Sequence, residues 1–405
     1  MNKIRSVRNK RILLLQGPMG TFFKKLDRQL RLGGAKTYNV GLNMGDRFFS
    51  WRDNYTPYRG TPEDWPAFVS DFLDRHRIDM VFLFGDCRYY QRIVRQKALQ
   101  RDIDLFVFEE GYIRPDYITM ERFGVNGYSK IPAEASFYED IVYQGEDTPL
   151  PARPSKTKMI ISATLYYALS NLFHFRYPHY IHHRDFSALK EAFYGIRGLV
   201  RKGVYAVTER GYLSLLTRKL SKRYYFVPLQ THNDFQILEH SPYRSIEKFI
   251  IEVLESFATH APDGTFIVFK HHPVDRGRKN YDGFIRTQAE LFGIRNRVIV
   301  IHDVHLPSCL KHAVATITIN STVGLSAIGH EIPTLTMGSA IYDIEGLTNK
   351  GVPIDRFWCE YRVPDRQLYL NFRQYLIENT QLNGSFYGLF PYELRAGKGD
   401  DLSQR

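Results

Sequence analysis

Short apolar runs alternate with amphipathic stretches in two long parts of the chain. In the first part, RILLL from Arg11 to Leu15 reads as a strand. It is closed by the glycine-rich QGPMGTFF from Gln16 to Phe23, and an amphipathic stretch to about Leu32 reads as a helix. Lys36 to Val40 and Asp79 to Phe84 read as further strands, the second closed by Gly85 and Asp86. Tyr89 to Gln100 carries Ile93, Val94, Ala98 and Leu99 at helical spacing. Leu105 to Phe108 is an apolar run that stops at Glu109, Glu110 and Gly111. The pattern resumes at Tyr224–Leu229, followed by a polar cluster from Gln230 to Asp234. Ser245–Phe257 has helical periodicity. Thr265–Lys270, Arg297–Ile301, Val314–Ile319 and Ile332–Met337 read as strands, with a helix opening at Asn320–Gly324. Tyr369–Leu382 reads as a terminal helix. Strands alternating with helices predict parallel, doubly wound sheets, one in each part.

The 405 residues, 43% hydrophobic and 14% aromatic, suffice for two such domains. Three cysteines, Cys87, Cys309 and Cys359, have no close spacing, which excludes a disulfide framework or zinc motif and fits a reducing cytoplasm. The apolar run after the basic start is too short for a secretory leader, and no window reaches the length of a membrane span. A soluble or peripheral protein is expected.

Charge changes this picture in one place. The net charge is +12, yet residues 151–226 hold 14 Lys/Arg against 3 Asp/Glu, so the rest of the chain is nearly neutral. The same segment carries 14 Phe/Tyr and four His. Basic residues interleaved with aromatics suit an anionic surface, a membrane leaflet or nucleic acid. A helical connector with a solvated basic face is the competing reading.

Candidate chemistry gathers at the ends of predicted strands, where open α/β sheets bind ligands. Adjacent Glu109 and Glu110 cannot both be buried cheaply as anions, so at least one should face solvent or have a shifted pKa. Gly111 permits a tight turn, and the Arg114 fork suits a carboxylate or phosphate. The arrangement suits an acid/base or nucleophilic carboxylate beside an anionic substrate, although solvated charges at a strand end give the same pattern. Gln16–Gly20 resembles a phosphate-binding turn without the Lys-Ser/Thr of a P-loop, and a purely structural turn fits it equally. Lys270, His272 and Pro273 end a strand where cationic donors can hold a phosphate. Asn320, Ser321 and Thr322 stand at a helix start, either as an anion site or as an ordinary N-cap.

The set of a carboxylate-carboxylate-Gly, a His-Pro and a Ser/Thr motif resembles the CMP-sugar glycosyltransferases of two-Rossmann, GT-B type. It more closely resembles the capsule polysaccharide β-Kdo transferases of the KpsS/LipB type, within the capsule polysaccharide biosynthesis and export family. QGPMGTFF from Gln16, GDRF from Gly45, FGDCR from Phe84, FEEGYIRPDYIT from Phe108, KHHPVDRG from Lys270, TINSTVGLSA from Thr318 and YDIEGLT from Tyr342 carry the resemblance, which spans about residues 11–348. It implies a GT-B-like α/β fold with two Rossmann-like domains facing a central cleft and a helical basic segment between them. The implied division is an acceptor and catalytic domain over 1–150, a membrane-facing segment over 151–222, a CMP-sugar domain over 223–350 and a helical tail over 351–405.

The resemblance further implies retaining transfer of Kdo from CMP-β-Kdo to lyso-phosphatidylglycerol, starting a capsule linker on the cytoplasmic face of the inner membrane. Glu110 matches the catalytic carboxylate of the motif, as nucleophile or as base, with Asp86 and Asp234 as reserve candidates for a second carboxylate. Gln16, Gly17, Gly20, Arg114, Lys270, His272, Pro273, Asn320, Ser321 and Thr322 are the candidate donor-binding residues. No metal or cofactor is expected, since the chain has no clustered acidic motif for Mg²⁺. Phe173, Arg176, Tyr180 and Arg184 are the candidate membrane contacts. Other capsule biosynthesis and export proteins are expected partners, and nucleic acid is not. Non-catalytic export or scaffolding remains the alternative, as does another nucleotide-sugar transferase of the same type.

Overall fold

The computed structural model describes residues 6–396 apart from 52, 142, 144, 146–147, 183–187 and 233. The chain forms two compact units, the first of residues 1–130, 144–188 and 374–405, the second of residues 131–143 and 189–373.

The first unit runs β1 (Arg11–Leu15), α1 (Phe22–Leu32), β2 (Lys36–Gly41), α2 (Met44–Phe49), β3 (Tyr55–Pro57), α3 (Trp65–Arg75), β4 (Met80–Phe84), α4 (Tyr89–Leu99), β5 (Asp104–Glu110), β6 (Tyr117–Arg122) and α5 (Lys156–Leu172). Its strands are apolar on both faces because helices cover both faces. Leu13, Leu15, Val81, Leu83, Leu105 and Val107 pack on one side with Trp65, Val69, Tyr90 and Val94 of α3 and α4. Ile12, Leu14, Phe82, Phe106 and Phe108 pack on the other with Phe22, Leu26 and Leu30 of α1. In α1 those three recur along one stripe, as the 3.6-residue period requires.

The second unit runs α6 (Ala188–Thr208), α7 (Tyr212–Ser214), β7 (Tyr224–Pro228), α8 (Phe235–His240), α9 (Ile246–His260), β8 (Phe266–Lys270), α10 (Asp282–Leu291), β9 (Val298–Ile301), α11 (Leu306–Lys311), β10 (Ala315–Thr318), α12 (Thr322–Gly329), β11 (Thr334–Thr336) and α13 (Ile354–Phe357). Its strands are all parallel, in the order β11-β10-β7-β8-β9. The chain then enters α14 (Arg366–Asn379) and β12 (Gln381–Asn383).

The seven-stranded sheet of the first unit has the order β12-β6-β5-β4-β1-β2-β3. Strand order reverses at β1/β4 in this unit and at β7/β10 in the second, and the crevice outside such a reversal is where α/β sheets take ligands. Both units are therefore Rossmann-like, as the alternating pattern predicts.

Three features differ from the expected boundaries. The basic segment 151–222 is not a separate piece: α5 belongs to the first unit, and α6 lies in the second from residue 189 onward. The tail is not all helical. Gln381–Asn383 is a strand, paired antiparallel with β6, and Leu382 and Phe386 join the core of the first unit. The second unit extends to residue 373 rather than ending at 350. Periodicity missed β6 and β12 because their polar residues pair across the fold, Thr119 with Gln381 and Asn383 with the Asp116 carbonyl, instead of alternating with water.

Phe386 meets Phe22 and Phe84 edge-on at 5.0 and 5.1 Å. Replacing it by alanine leaves a void among rings that cannot close it, so Phe386→Ala is expected to destabilise the first unit by about 3–5 kcal/mol. The exposed Leu150→Ala should change it by less than about 0.5 kcal/mol. Urea unfolding followed by circular dichroism checks both.

Candidate active site

Strand β5 carries its last two carboxylates out of the core. Glu110 is exposed, while Glu109 is half-buried. Burial pushes the Glu109 carboxyl up to about 7, helped by the negative charges of Glu110 and Asp86 and opposed by Arg88 and by a 3.0 Å hydrogen bond from the Glu110 N–H. Both outcomes foreseen for this pair occur, one per residue. Gly111 is needed for space: a Cβ there would lie 2.1 Å from the Tyr117 carbonyl oxygen, where the chain doubles back into β6. Arg114 donates from Nε to the Gly111 carbonyl at 3.1 Å, which ties its guanidinium to the turn.

Side chains with no signal in a strand-by-strand reading hold this turn. The Gln381 Oε1, on β12, accepts from the N–H groups of Tyr112 and Ile113 at 3.1 and 3.4 Å. The Tyr112 hydroxyl donates to buried Glu121 at 2.6 Å, and Ser129 donates to the other Glu121 oxygen at 2.5 Å. Burial raises the Glu121 carboxyl to about 7 as well, but both its oxygens are occupied. Tyr387, also from the tail, is pushed up to about 12 by burial and the Glu110 charge. Its ring lies 3.5 Å from where a Gly20 Cβ would sit.

Several expected site residues have other work. Asp86 is buried: Oδ2 accepts from the Val125 N–H at 3.0 Å and faces Arg95 at 3.9 Å, while Oδ1 accepts from the Cys87 thiol. It anchors the loop after β6. Gln16 is also buried, donating to the hydroxyls of Tyr166 and Tyr180 at 3.1 and 3.0 Å and accepting from Gln91 at 2.9 Å. Its amide serves this polar network rather than a ligand. A Cβ on Gly17 would strike the Phe23 ring at 2.4 Å, so this glycine serves packing. Of that turn, Gly20 (φ +144°) retains the backbone freedom a ligand-side turn uses.

In the second unit, the β7/β10 reversal gathers one set of polar groups. Gln230 donates to the Asn320 Oδ1 at 3.0 Å and accepts from the Asn320 N–H at 3.3 Å. It also reaches Asp234 at 3.4 Å. Ser321 caps α12, its hydroxyl accepting from the Val323 N–H at 3.2 Å, and Thr322 opens the helix half-buried. Of the two readings of this helix start, the N-cap is the one the hydrogen bonds show.

Beside them His272 is half-buried and its Nδ1 accepts from the Val274 N–H at 3.2 Å, which puts the proton on Nε2. Pro273 starts the short turn that follows. Asp275, fully buried in that turn, accepts from both the backbone and the Nδ1 of His232, at 2.8 and 2.7 Å. This oriented His232–Asp275 pair was missed as a unit, because its members lie on different strand ends and no motif links them. Lys270 is withdrawn: it is buried, its ammonium donates to the His302 carbonyl, and burial lowers its pKa. His271 accepts from the Tyr281 N–H at 2.7 Å, and burial together with His302 lowers it to about 4, so it is neutral.

The basic segment also divides by role. Tyr180 bonds Gln16, and buried Tyr177 meets the Tyr55 hydroxyl at 3.0 Å, so neither is a membrane contact. Phe173 is half-buried and Arg176 exposed beside it, while Arg184 lies outside the described residues. Arg197 donates to the carbonyls of Gly277 and Arg278 and anchors α6. Among the described residues no helix is long and apolar enough to cross a membrane.

The family described as capsule polysaccharide biosynthesis protein matches residues 79–387. The chain is 40% identical over 382 residues to the capsule polysaccharide export protein KpsS of Escherichia coli, covering 93% of this chain and 97% of the relative. It is 36% identical over 405 residues to the capsule polysaccharide modification protein LipB of Neisseria meningitidis serogroup A, covering 95% and 93%. Among solved structures it is similar to the β Kdo 2,7 transferase of Thermosulfurimonas dismutans KpsC, at 14% identity and a TM-score of 0.41, covering 90% and 89%. A family match that spans both units, joined to relatives aligned almost end to end, means that the chain belongs to the capsule polysaccharide biosynthesis protein family.

Proposed function

We propose that this protein is a retaining β-Kdo glycosyltransferase. It uses CMP-β-Kdo to add Kdo to lyso-phosphatidylglycerol at the cytoplasmic face of the inner membrane, where it acts peripherally with other capsule proteins. The observation that carries this reading is the carboxylate pair at the end of β5, one exposed and one raised to about 7. Neighbouring carboxylates in different environments divide acid/base work between them. Transfer breaks the bond from the Kdo anomeric carbon to the CMP phosphate oxygen and forms one to an acceptor hydroxyl oxygen. The electron pair leaves with the phosphate, and the hydroxyl proton passes to a carboxylate. Glu110 is the nucleophile of a double displacement or the base of a front-side route, with Glu109 exchanging the proton.

Arg114 suits the sugar's own carboxylate. His272, Ser321 and Thr322 are assigned to the CMP phosphate, without a metal, and His232, held by Asp275, is added to them. The name of the Escherichia coli relative favours a second reading, a non-catalytic export component. CMP release from CMP-Kdo on addition of lyso-phosphatidylglycerol separates the two.

Glu110→Gln should lower transfer at least ~10²-fold while circular dichroism and CMP binding stay unchanged. Near-normal turnover would remove Glu110 from the chemistry. The Glu109 carboxyl is protonated below about 7, so a step in which it donates a proton slows as pH rises through that value. Glu109→Gln should abolish that limb of the pH–rate profile. His272→Ala and the Ser321→Ala/Thr322→Ala pair should each weaken CMP binding by about 1.5–3 kcal/mol per lost charge-assisted hydrogen bond, read by calorimetry.

A further inference from the structure

The tail brings one more polar group to the strand-end site of the first unit. Tyr387 stands on the turn of residues 385–389 that follows β12. The Ser385 N–H closes this turn on the Leu389 carbonyl at 2.9 Å, and the Leu389 N–H fastens it to the Ala152 carbonyl, also at 2.9 Å. A Cβ on Gly388 would lie 2.2 Å from the same Ala152 oxygen, so backbone meets backbone here. Just before the tyrosine, Phe386 is held edge-on between Phe22 and Phe84. Tyr387 is thus fixed from both sides, and its half-buried ring packs on the core of the first unit.

The ring lies over the turn after β1, with Cε1 3.5 Å from where a Gly20 Cβ would sit. Strand β1 borders the reversal of strand order, so the phenol stands at the crevice where such sheets take ligands. The hydroxyls of Tyr55, Tyr112, Tyr166 and Tyr180 in this unit are all bonded within the protein. That of Tyr387 has no hydrogen-bond partner among the described residues. Burial and the nearby Glu110 charge raise the phenol to about 12. It therefore keeps its proton at neutral pH and has a donor to offer a third group beside Glu110.

A sugar acid brought to Glu110 carries its own carboxylate beside the reacting carbon, and two carboxylates at one centre repel. A neutral donor stabilises the second anion without adding a cation that would compete for Glu110. Donation to the attacking hydroxyl would instead draw electron density from the nucleophile. We propose that Tyr387 is a further substrate-contacting residue, whose hydroxyl donates to the carboxylate of the bound sugar acid beside Glu110. Its part in the reaction rests on the transferase reading; its contact with a sugar acid does not.

Tyr387→Phe keeps the ring and removes the donor. In the full-length protein it should lower kcat/KM for CMP-Kdo about tenfold or more, the loss of one hydrogen bond to a charged group. Circular dichroism and calorimetric binding of CMP alone should stay unchanged. Tyr392→Phe, at an exposed tyrosine further along the tail, should leave the rate as it is. Difluorotyrosine at position 387 has a more acidic phenol, so its rate should fall as pH rises through that phenol's pKa. A ring that merely packs would create no such limb. A single fluorine on the same ring gives a magnetic resonance signal that free Kdo should shift and glucose at equal concentration should not. Normal kcat/KM in Tyr387→Phe, or no fluorine shift with Kdo, would overturn the proposal and leave the transferase reading standing. A fluorine shift in a protein that releases no CMP would support the contact and count against the transferase reading alone.

Discussion

Two sheets, one parallel and one parallel but for β6 and β12, each covered on both faces, are the constraint from which the rest follows. Strands such as MVFLF in β4 and YYFVP in β7 are buried along nearly their whole length. Polar chemistry is therefore concentrated at strand ends and in the turns after them, beyond the reach of the covering helices. Glu109 and Glu110 at the end of β5, Gln230 and His232 after β7, His272 after β8 and Asn320 to Thr322 after β10 all lie at such ends.

The same desolvation acts on several carboxylates with different consequences. Asp46 and Glu121 are raised to about 6 and about 7 by burial, and in each the oxygens are taken by fixed partners: the Leu42 N–H and Tyr166 for Asp46, Tyr112 and Ser129 for Glu121. These groups stitch loops and α5 to the sheet. Glu109 is raised to a similar degree, but it lies beside a solvent-facing carboxylate at the mouth of a strand. A shifted pKa alone therefore does not mark a reacting group.

The tail gives the first unit its remaining order. β12 pairs with β6, and Gln381 fastens the turn after Glu110 through two backbone N–H groups. Residues some 270 positions apart in sequence thus share one hydrogen-bond set. The basic segment illustrates the opposite. Its charge and aromatic content read as one surface, yet its rings divide between core and solvent, with Tyr166 and Tyr177 buried and Phe175 exposed.

From the order of residues alone came the two α/β parts, most of the parallel strands, the carboxylate pair ending β5, and the His-Pro and Ser-Thr turns, because each is written in local periodicity or in adjacent residues. Whether a polar side chain faces a ligand or a neighbour was decided only in three dimensions. Lys270 turned inward to the His302 carbonyl, Gln16 joined Tyr166 and Tyr180, and Asp86 took the Val125 N–H, because a buried polar group must find a partner wherever the fold brings one near. His232 found Asp275 for the same reason. Local pattern sets which elements form, while long-range packing sets which of their side chains remain available for chemistry.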